Sequence, residues 1–169
     1  AALAAAGLSL AAQACELDIG EDGRTARVDY RPTALGDAQA MLTLTLENAG
    51  ESPCSVSITR LAGRQVLSGP SGGRLPYQLR LPGASPLPAS NGASAPQRTV
   101  APGETLRLDL VFSVPAGRNG PPGLYEAAET LRLFGPDSAE PIAEIPLALS
   151  AAFEPFAAIT IAGASPSAS

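Results

Sequence analysis

The sequence predicts an all-β protein built as an antiparallel β-sandwich, and three observations support this fold class. Apolar residues recur at every second position in several short runs, which is typical of strands with one buried face. Glycine and proline are frequent, with 17 residues of each, and this composition suits many turns between short strands. No run has the convincing periodicity of an amphipathic helix. We expect eight to ten strands.

The length of 169 residues suits one domain, which we place at residues 15–162. Its first runs are short: residues 17–19, and then Ala26, Val28 and Tyr30. Residues 41–47 and 54–58 alternate strongly, and we interpret them as a hairpin with its turn at residues 48–53. This hairpin places Cys54 at the start of its second strand.

The middle of the chain is less regular. Val66 and Leu67 predict a short strand, and residues 75–81 predict another. Pro76 indicates that this second strand lies at a sheet edge or begins there, since proline cannot donate a backbone hydrogen bond. Residues 82–102 are rich in proline, serine, alanine and glycine, which predicts a long surface loop.

Two central runs have the most extensive alternation. In residues 104–114 the apolar positions fall on one face: Leu106, Leu108, Leu110, Phe112 and Val114. Residues 121–134 repeat this pattern, with Glu129 as an interruption. We interpret the two runs as an antiparallel pair joined by the loop 115–123. Residues 145–153 and then Ile159 and Ile161 predict further strands, before a linker-like tail at residues 163–169.

Composition argues against several classes of function. The net charge is −5 and the arginines are scattered, which is unlike a nucleic-acid-binding surface. Histidine is absent, and with it the commonest general base and metal ligand. The sequence has no G-x-S-x-G, G-x-G-x-x-G or Walker motif. We therefore expect no enzymatic activity, no cofactor and no metal site.

Residues 1–14 are small and apolar, and Ala12-Gln13-Ala14 has the form of a signal-peptide cleavage site. We interpret this stretch as the remnant of an export signal. A buried helix or an extended arm is the alternative, and acylation of Cys15 is a weaker one.

Cys15 and Cys54 are the two cysteines, 39 positions apart (54 − 15). Two cysteines after an export signal generally pair, so we expect a disulfide rather than two buried thiols. Closing a loop of this length stabilises a fold by about 4 kcal/mol in the chain-entropy model.

A resemblance to a known family is carried by four features in order. They are Cys15, Cys54 within S-P-C-S-V-S-I, the turn and strand G-G-R-L-P-Y-Q-L, and P-P-G-L-Y-E-A-A-E-T-L-R-L. Over residues 15–134 the chain resembles the spore coat protein U domain family, which includes the pilins of archaic chaperone–usher pili.

This resemblance implies an immunoglobulin-like sandwich that lacks one strand. In such pili a periplasmic chaperone fills the groove, and the N-terminal arm of a neighbouring subunit later replaces it. The implied partners are therefore the chaperone, an outer-membrane usher and neighbouring subunits. The implied location is the periplasm in transit, and then a fibre on the cell surface.

Two departures from the family pattern favour the leading domain of a tip adhesin. Cleavage after Ala14 leaves no donor arm, and the strands predicted after residue 144 either complete the sandwich internally or lead toward a second domain. If the arm is retained, its alternating residues predict a shaft pilin instead; these are Leu8, Leu10, Ala12 and Ala14. A free-standing binding module is the third hypothesis, although the absence of tryptophan argues against stacking on sugars.

Adhesive contacts are expected in loops, because binding residues on rigid sandwiches concentrate there. The candidate loops are residues 81–98 and 116–123. Their candidate contact residues are Leu87, Pro88, Pro121, Pro122 and Leu124. The alternative is that these loops are plain connections.

Overall fold

The computed structural model describes residues 15–92, 94–136 and 138–154, and these residues form eleven strands. In chain order the strands are β1 (Leu17–Ile19), β2 (Thr25–Tyr30), β3 (Ala38–Asn48), β4 (Cys54–Arg60), β5 (Val66–Ser68), β6 (Arg74–Pro76), β7 (Gln78–Arg80), β8 (Gln97–Val100), β9 (Thr105–Val114), β10 (Gly123–Phe134) and β11 (Ala143–Phe153). One 3₁₀ turn, Pro70–Gly72, separates β5 from β6. The all-β prediction is confirmed.

The strands form two packed sheets. Sheet A has the order β1-β3-β9-β7, and sheet B has the order β2-β11-β10-β4-β8, with β5 and β6 added beside β10. Neighbouring strands are antiparallel except β2 and β11, which run parallel. This arrangement is an immunoglobulin-like sandwich, as expected.

The core lies between the sheets and consists of the alternating residues that the sequence pattern singled out. Leu44 of β3, Leu110 of β9 and Leu133 of β10 are each 0% exposed. Because successive side chains of a strand point to opposite faces, the same strands place threonine, aspartate and arginine on the outside. Within the described residues, no helix has the length and apolar character needed to span a bilayer.

The sandwich has two poles, which we name by the residues that organise them. The disulfide pole contains Cys15 and the loops 49–53, 101–104 and 135–142. The tyrosine pole contains the loops 31–37 and 115–122, together with Glu154 at the end of β11. At the first pole Cys15 and Cys54 form the predicted disulfide, with their Cα atoms 5.3 Å apart.

Two predicted hairpins are wrong. Strands β9 and β10 lie in opposite sheets, and so do β3 and β4; β9 pairs instead with β3 and β7, and β10 with β11, β4 and β5. Each connecting loop crosses the sandwich, whose sheets in general pack about 10 Å apart. The crossing sets the apolar faces of consecutive strands against each other, so that each buries its neighbour.

Two further predictions are corrected in the middle of the chain. The run 75–81 divides into β6 and β7, which belong to different sheets. Both are edge strands, as Pro76 indicated. The segment 82–102, predicted as a loop throughout, contains β8, which pairs with β4 from Gln97 to Val100. Residues 1–14, Ile159, Ile161 and the tail 163–169 lie outside the described residues.

Candidate strand-completion site

The last described strand, β11, lies inside sheet B and has a neighbour on each side. It pairs with β10 in antiparallel register from Gly123↔Phe153 to Leu133↔Ala143. It also pairs with β2 in parallel register from Thr25↔Ala148 to Tyr30↔Phe153. Strand β11 therefore pairs with backbone N–H and C=O groups of two strands, β10 and β2, that would otherwise be left open at sheet edges.

The inward face of β11 is apolar along its whole length. Five alternating side chains are at most 3% exposed: Ile145, Leu147, Leu149, Ala151 and Phe153. Burying one large aliphatic or aromatic side chain contributes roughly 1.5–3 kcal/mol before conformational entropy is counted. Loss of this strand would expose the facing residues of both sheets, so β11 is essential to the core.

Aromatic rings secure the end of β11 at the tyrosine pole. The ring of Phe153 lies 5.3 Å from that of Tyr30 and 5.7 Å from that of Tyr125. Just beyond the strand, the Glu154 amide donates a hydrogen bond of 2.9 Å to the Tyr30 carbonyl oxygen. At the other end, the Ile142 amide donates to the carbonyl oxygen of Leu133 over 2.7 Å, which closes the connection from β10.

Tyr125 brings together two of the sequence motifs that carry the resemblance. Its hydroxyl donates to the Pro121 carbonyl oxygen over 2.7 Å, within the P-P-G-L-Y motif. Its ring packs on the turn before β6, where a Cβ atom on Gly69 would lie 2.5 Å from a ring carbon. Gly73 is equally crowded by this side chain. The glycine-rich turn is therefore required for the close approach of Tyr125.

The interruption at Glu129 is a buried carboxylate within the inward face of β10. Glu129 is 6% exposed, and it accepts a 2.6 Å hydrogen bond from the hydroxyl of Tyr77, which is 3% exposed. Burial, and then the hydrogen bond and charge of Glu129, raise the pKa of Tyr77, while Arg60 has a weaker opposing effect. The pair keeps a polar group satisfied inside an otherwise apolar layer.

The proposed adhesive residues are dispersed rather than brought together. The side chain of Leu87 is 3% exposed and belongs to the core, so its prediction as a surface contact is wrong. Its amide donates to the Leu79 carbonyl oxygen, which folds the loop back onto β7. Pro88 is half-buried, and its carbonyl oxygen accepts from the Arg60 amide.

The other three candidates lie at the tyrosine pole, beside the end of β11. Pro121 is half-buried, Pro122 is exposed and Leu124 is 44% exposed. An adhesive role for them stays a prediction. The possible donor-arm residues Leu8, Leu10, Ala12 and Ala14 lie outside the described part of the chain.

Comparison with known proteins gives matches in structure but not in sequence. No protein-family model matches the chain, and no curated protein matches it. The CooA pilin subunit from enterotoxigenic Escherichia coli has a TM-score of 0.56 at 14% identity, over 82% of this chain and 99% of that chain. The CsuC–CsuE chaperone–tip adhesion subunit complex from archaic Csu pili of Acinetobacter baumannii contains a chain with a TM-score of 0.53 at 13% identity. That match covers 82% of this chain and 60% of that chain.

These likenesses define the class of fold, which is a pilin-like, immunoglobulin-like β-sandwich. At 13–14% identity these matches show only that the fold is shared, so function has to be argued from the site. The narrower resemblance to the spore coat protein U domain family stays a prediction.

Proposed function

We propose that the chain is a structural or adhesive subunit of an extracellular chaperone–usher fibre, and that its sandwich is the leading domain of a tip adhesin. The observation that carries this proposal is the position of β11 between β10 and β2. A shaft pilin lacks one strand, which another protein supplies. In this chain β11 has a strand neighbour on each side within its own sheet, which supports a sandwich completed by its own strand.

The likeness of the fold to the CooA pilin supports the fibre class. On this proposal the protein is exported through the periplasm to the cell surface and has no enzymatic role. The periplasmic chaperone, the usher and neighbouring subunits act through a pilin domain that accompanies this one. A shaft pilin assembled by strand exchange is the alternative, and a free-standing secreted or periplasmic binding module is another.

The first experiment tests self-completion. Residues 15–154, produced without a chaperone, are expected to form a monomer that unfolds cooperatively. A variant that ends at Ile142 is expected to aggregate, and a synthetic peptide of residues 143–153 should restore a soluble one-to-one complex. The matched control is the same peptide with Leu147→Asp and Leu149→Asp, which cannot enter the core. An intact domain that requires a chaperone or an added strand would favour the shaft pilin.

The second experiment tests the position in a fibre. Gold-labelled antibodies against the sandwich, applied to the cells that produce the protein, are expected to mark the ends of surface fibres. Labelling along the whole fibre would contradict the tip assignment. The absence of any labelled fibre would favour the free-standing module.

A further inference from the structure

A small cleft opens beside sheet A where β7 stops and β9 continues. Strand β7 pairs with β9 only at residues 111–113, so residues 105–110 have no strand neighbour on that side in the described structure. The cleft has a volume of about 240 Å³. Its lining residues are Leu81, Pro82, Arg98, Arg107, Leu108 and Asp109.

Two arginines of the cleft come from different sheets, and neither forms an ion pair among the described residues. Arg98 lies on β8, the edge strand of sheet B, and Arg107 lies on β9 of sheet A. Both are exposed, and the ion pairs found among the described residues use Arg31 and Arg132 instead. The Arg98 guanidinium donates one hydrogen bond of 2.8 Å, to the Gln97 carbonyl oxygen. Two guanidinium groups against the single carboxylate of Asp109 leave the cleft with an excess of positive charge, which favours an anion, and guanidinium geometry matches carboxylate and sulfate-like groups.

Asp109 supplies a fixed acceptor in the same cleft. One of its carboxylate oxygens accepts a 2.8 Å hydrogen bond from the hydroxyl of Thr43 on the neighbouring strand β3. The other oxygen has no hydrogen-bond donor among the described residues. A carboxylate beside two guanidinium groups suits a ligand that carries both a negative charge and hydroxyl groups.

The shape of the cleft favours a small ligand over an extended peptide. Pro82 lines the cleft, and β7 already covers the edge of β9 from Val111 onward. Its volume lies below the roughly 300–1,000 Å³ of sites for drug-sized ligands, so it suits a single ring. Leu81 and Leu108 are buried and form an apolar floor.

We propose that this cleft binds one acidic sugar unit. The carboxylate or sulfate of the sugar pairs with Arg98 and Arg107, and a sugar hydroxyl donates to Asp109. Recognition by charge requires no tryptophan stacking, which the chain does not offer. The site goes beyond the fibre role and does not depend on it, because it involves neither β11 nor either pole.

The test is a titration of the isotope-labelled domain, followed by amide chemical shifts. The probes are glucuronic acid and N-acetylglucosamine 6-sulfate, with glucose and N-acetylglucosamine as neutral counterparts and acetate and sulfate ions as bare anions. The acidic sugars are expected to cause saturable shifts around residues 98 and 107–109. Arg98→Gln and Arg107→Gln should each raise the Kd by about tenfold. Arg27→Gln removes the same charge at the opposite edge of sheet B and should change nothing.

Three outcomes would overturn the proposal. They are the absence of saturable shifts with either acidic sugar, equal binding of neutral sugars or bare anions, and equal weakening by Arg27→Gln. All three arginines are exposed, so thermal unfolding of each variant verifies that the fold is retained. Failure here leaves the result for β11 and its peptide unaffected, so the two proposals fail separately.

Discussion

The two poles of the sandwich are each organised by one buried polar side chain, but only one pole has a covalent link. At the disulfide pole, Asn48 is 0% exposed and its side-chain amide donates to the carbonyl oxygens of Ser52 and Val100 over 2.8 and 2.9 Å. Its side-chain oxygen accepts from the Gly50 amide. Asn48 therefore ties the loop 49–53 to the strand β8.

At the tyrosine pole, Tyr30 is 1% exposed and has the corresponding role. Its hydroxyl donates to the Pro115 carbonyl oxygen over 2.7 Å and accepts from the Arg118 amide over 2.8 Å. The same residue packs on Phe153 at the end of β11. The closing strand therefore ends at the pole without a disulfide, and we expect β11 to open from that end.

The largest expected effect comes from removing the covalent link. Cys15→Ser together with Cys54→Ser should lower the free energy of unfolding by about 4 kcal/mol, because the unfolded chain regains the freedom of a long loop. Urea denaturation measures this loss, and circular dichroism checks that the strands remain. A loss below about 1 kcal/mol would show that the stability of the disulfide pole does not depend on the Cys15–Cys54 bond.

Asn48→Ala tests the hydrogen-bonding half of the same pole. The substitution removes three hydrogen bonds and leaves buried backbone groups without partners, so we expect a loss of about 3 kcal/mol. The matched control is Asn119→Ala, which removes one exposed hydrogen bond to the Gly120 amide and should cost less than about 0.5 kcal/mol. Equal losses from the two variants would contradict the organising role of Asn48.

Tyr30→Phe makes the corresponding change at the tyrosine pole. Both hydrogen bonds of the hydroxyl disappear while the ring remains, and we expect a loss of about 2 kcal/mol. Amide hydrogen exchange should accelerate in the loop 115–122 and at the end of β11. Tyr125→Phe, which removes a single hydrogen bond, should have a smaller effect. A larger loss of stability for Tyr125→Phe than for Tyr30→Phe would show that Tyr125, and not Tyr30, organises this pole.

The Tyr77–Glu129 pair belongs to neither pole, and it makes the free energy of unfolding depend on pH. The pKa of Tyr77 is raised in the folded protein above the usual value of 10.0, so the unfolded chain loses this proton first as the pH rises. Stability from this group is therefore complete below pH 10 and falls above it, by at most about 1.4 kcal/mol per pH unit.

Urea denaturation of the wild type and of Tyr77→Phe, repeated at rising pH, measures this dependence. The substitution is expected to make the decline above pH 10 less steep. Some decline should persist, because burial also raises the pKa of Tyr125. Identical slopes for the two proteins would exclude Tyr77 as the cause.

The positions of most strands could be predicted from the sequence, while the partners of the strands could not. Alternation reports the burial of each strand locally, and it identified β2, β3, β9, β10 and β11. Sheet membership depends on contacts between distant segments. The loops after β3 and β9 cross between the sheets, and nothing in their composition separates a crossing from a hairpin.

The strand-completion site was anticipated only in part. The apolar residues 145–161 predicted strands that either complete the sandwich or lead toward a second domain, and β11 lies within sheet B between β10 and β2. The parallel pairing of β11 with β2 brings together segments that are far apart in the sequence, and no local sequence pattern predicts it. Glu129 is recognisable as a break in the pattern, but its partner Tyr77 lies where the chain crosses from β6 of sheet B to β7 of sheet A. Leu87 was misassigned because its loop folds back onto β7, where its amide bonds the Leu79 carbonyl oxygen, and the composition of the loop does not predict this fold-back.

The smallest expected effect concerns the charges at the two ends of β11. Glu154 lies 3.4 Å from Arg31 at the tyrosine pole, and Glu144 lies 3.1 Å from Arg132 near the start of the strand. Both carboxylates are 52% exposed, so each pair should contribute less than about 1 kcal/mol, and less in high salt.

Glu154→Gln and Glu144→Gln, measured by urea denaturation at low and high salt, form a matched comparison. Arg132 is only 29% exposed and stacks over Phe134, so Glu144→Gln should have the larger effect of the two. If Glu154→Gln alone cost more than about 2 kcal/mol, charge rather than the Tyr30–Phe153 contact would secure the end of β11. The tyrosine pole would then be held together by an ion pair at the surface and not by buried aromatic rings.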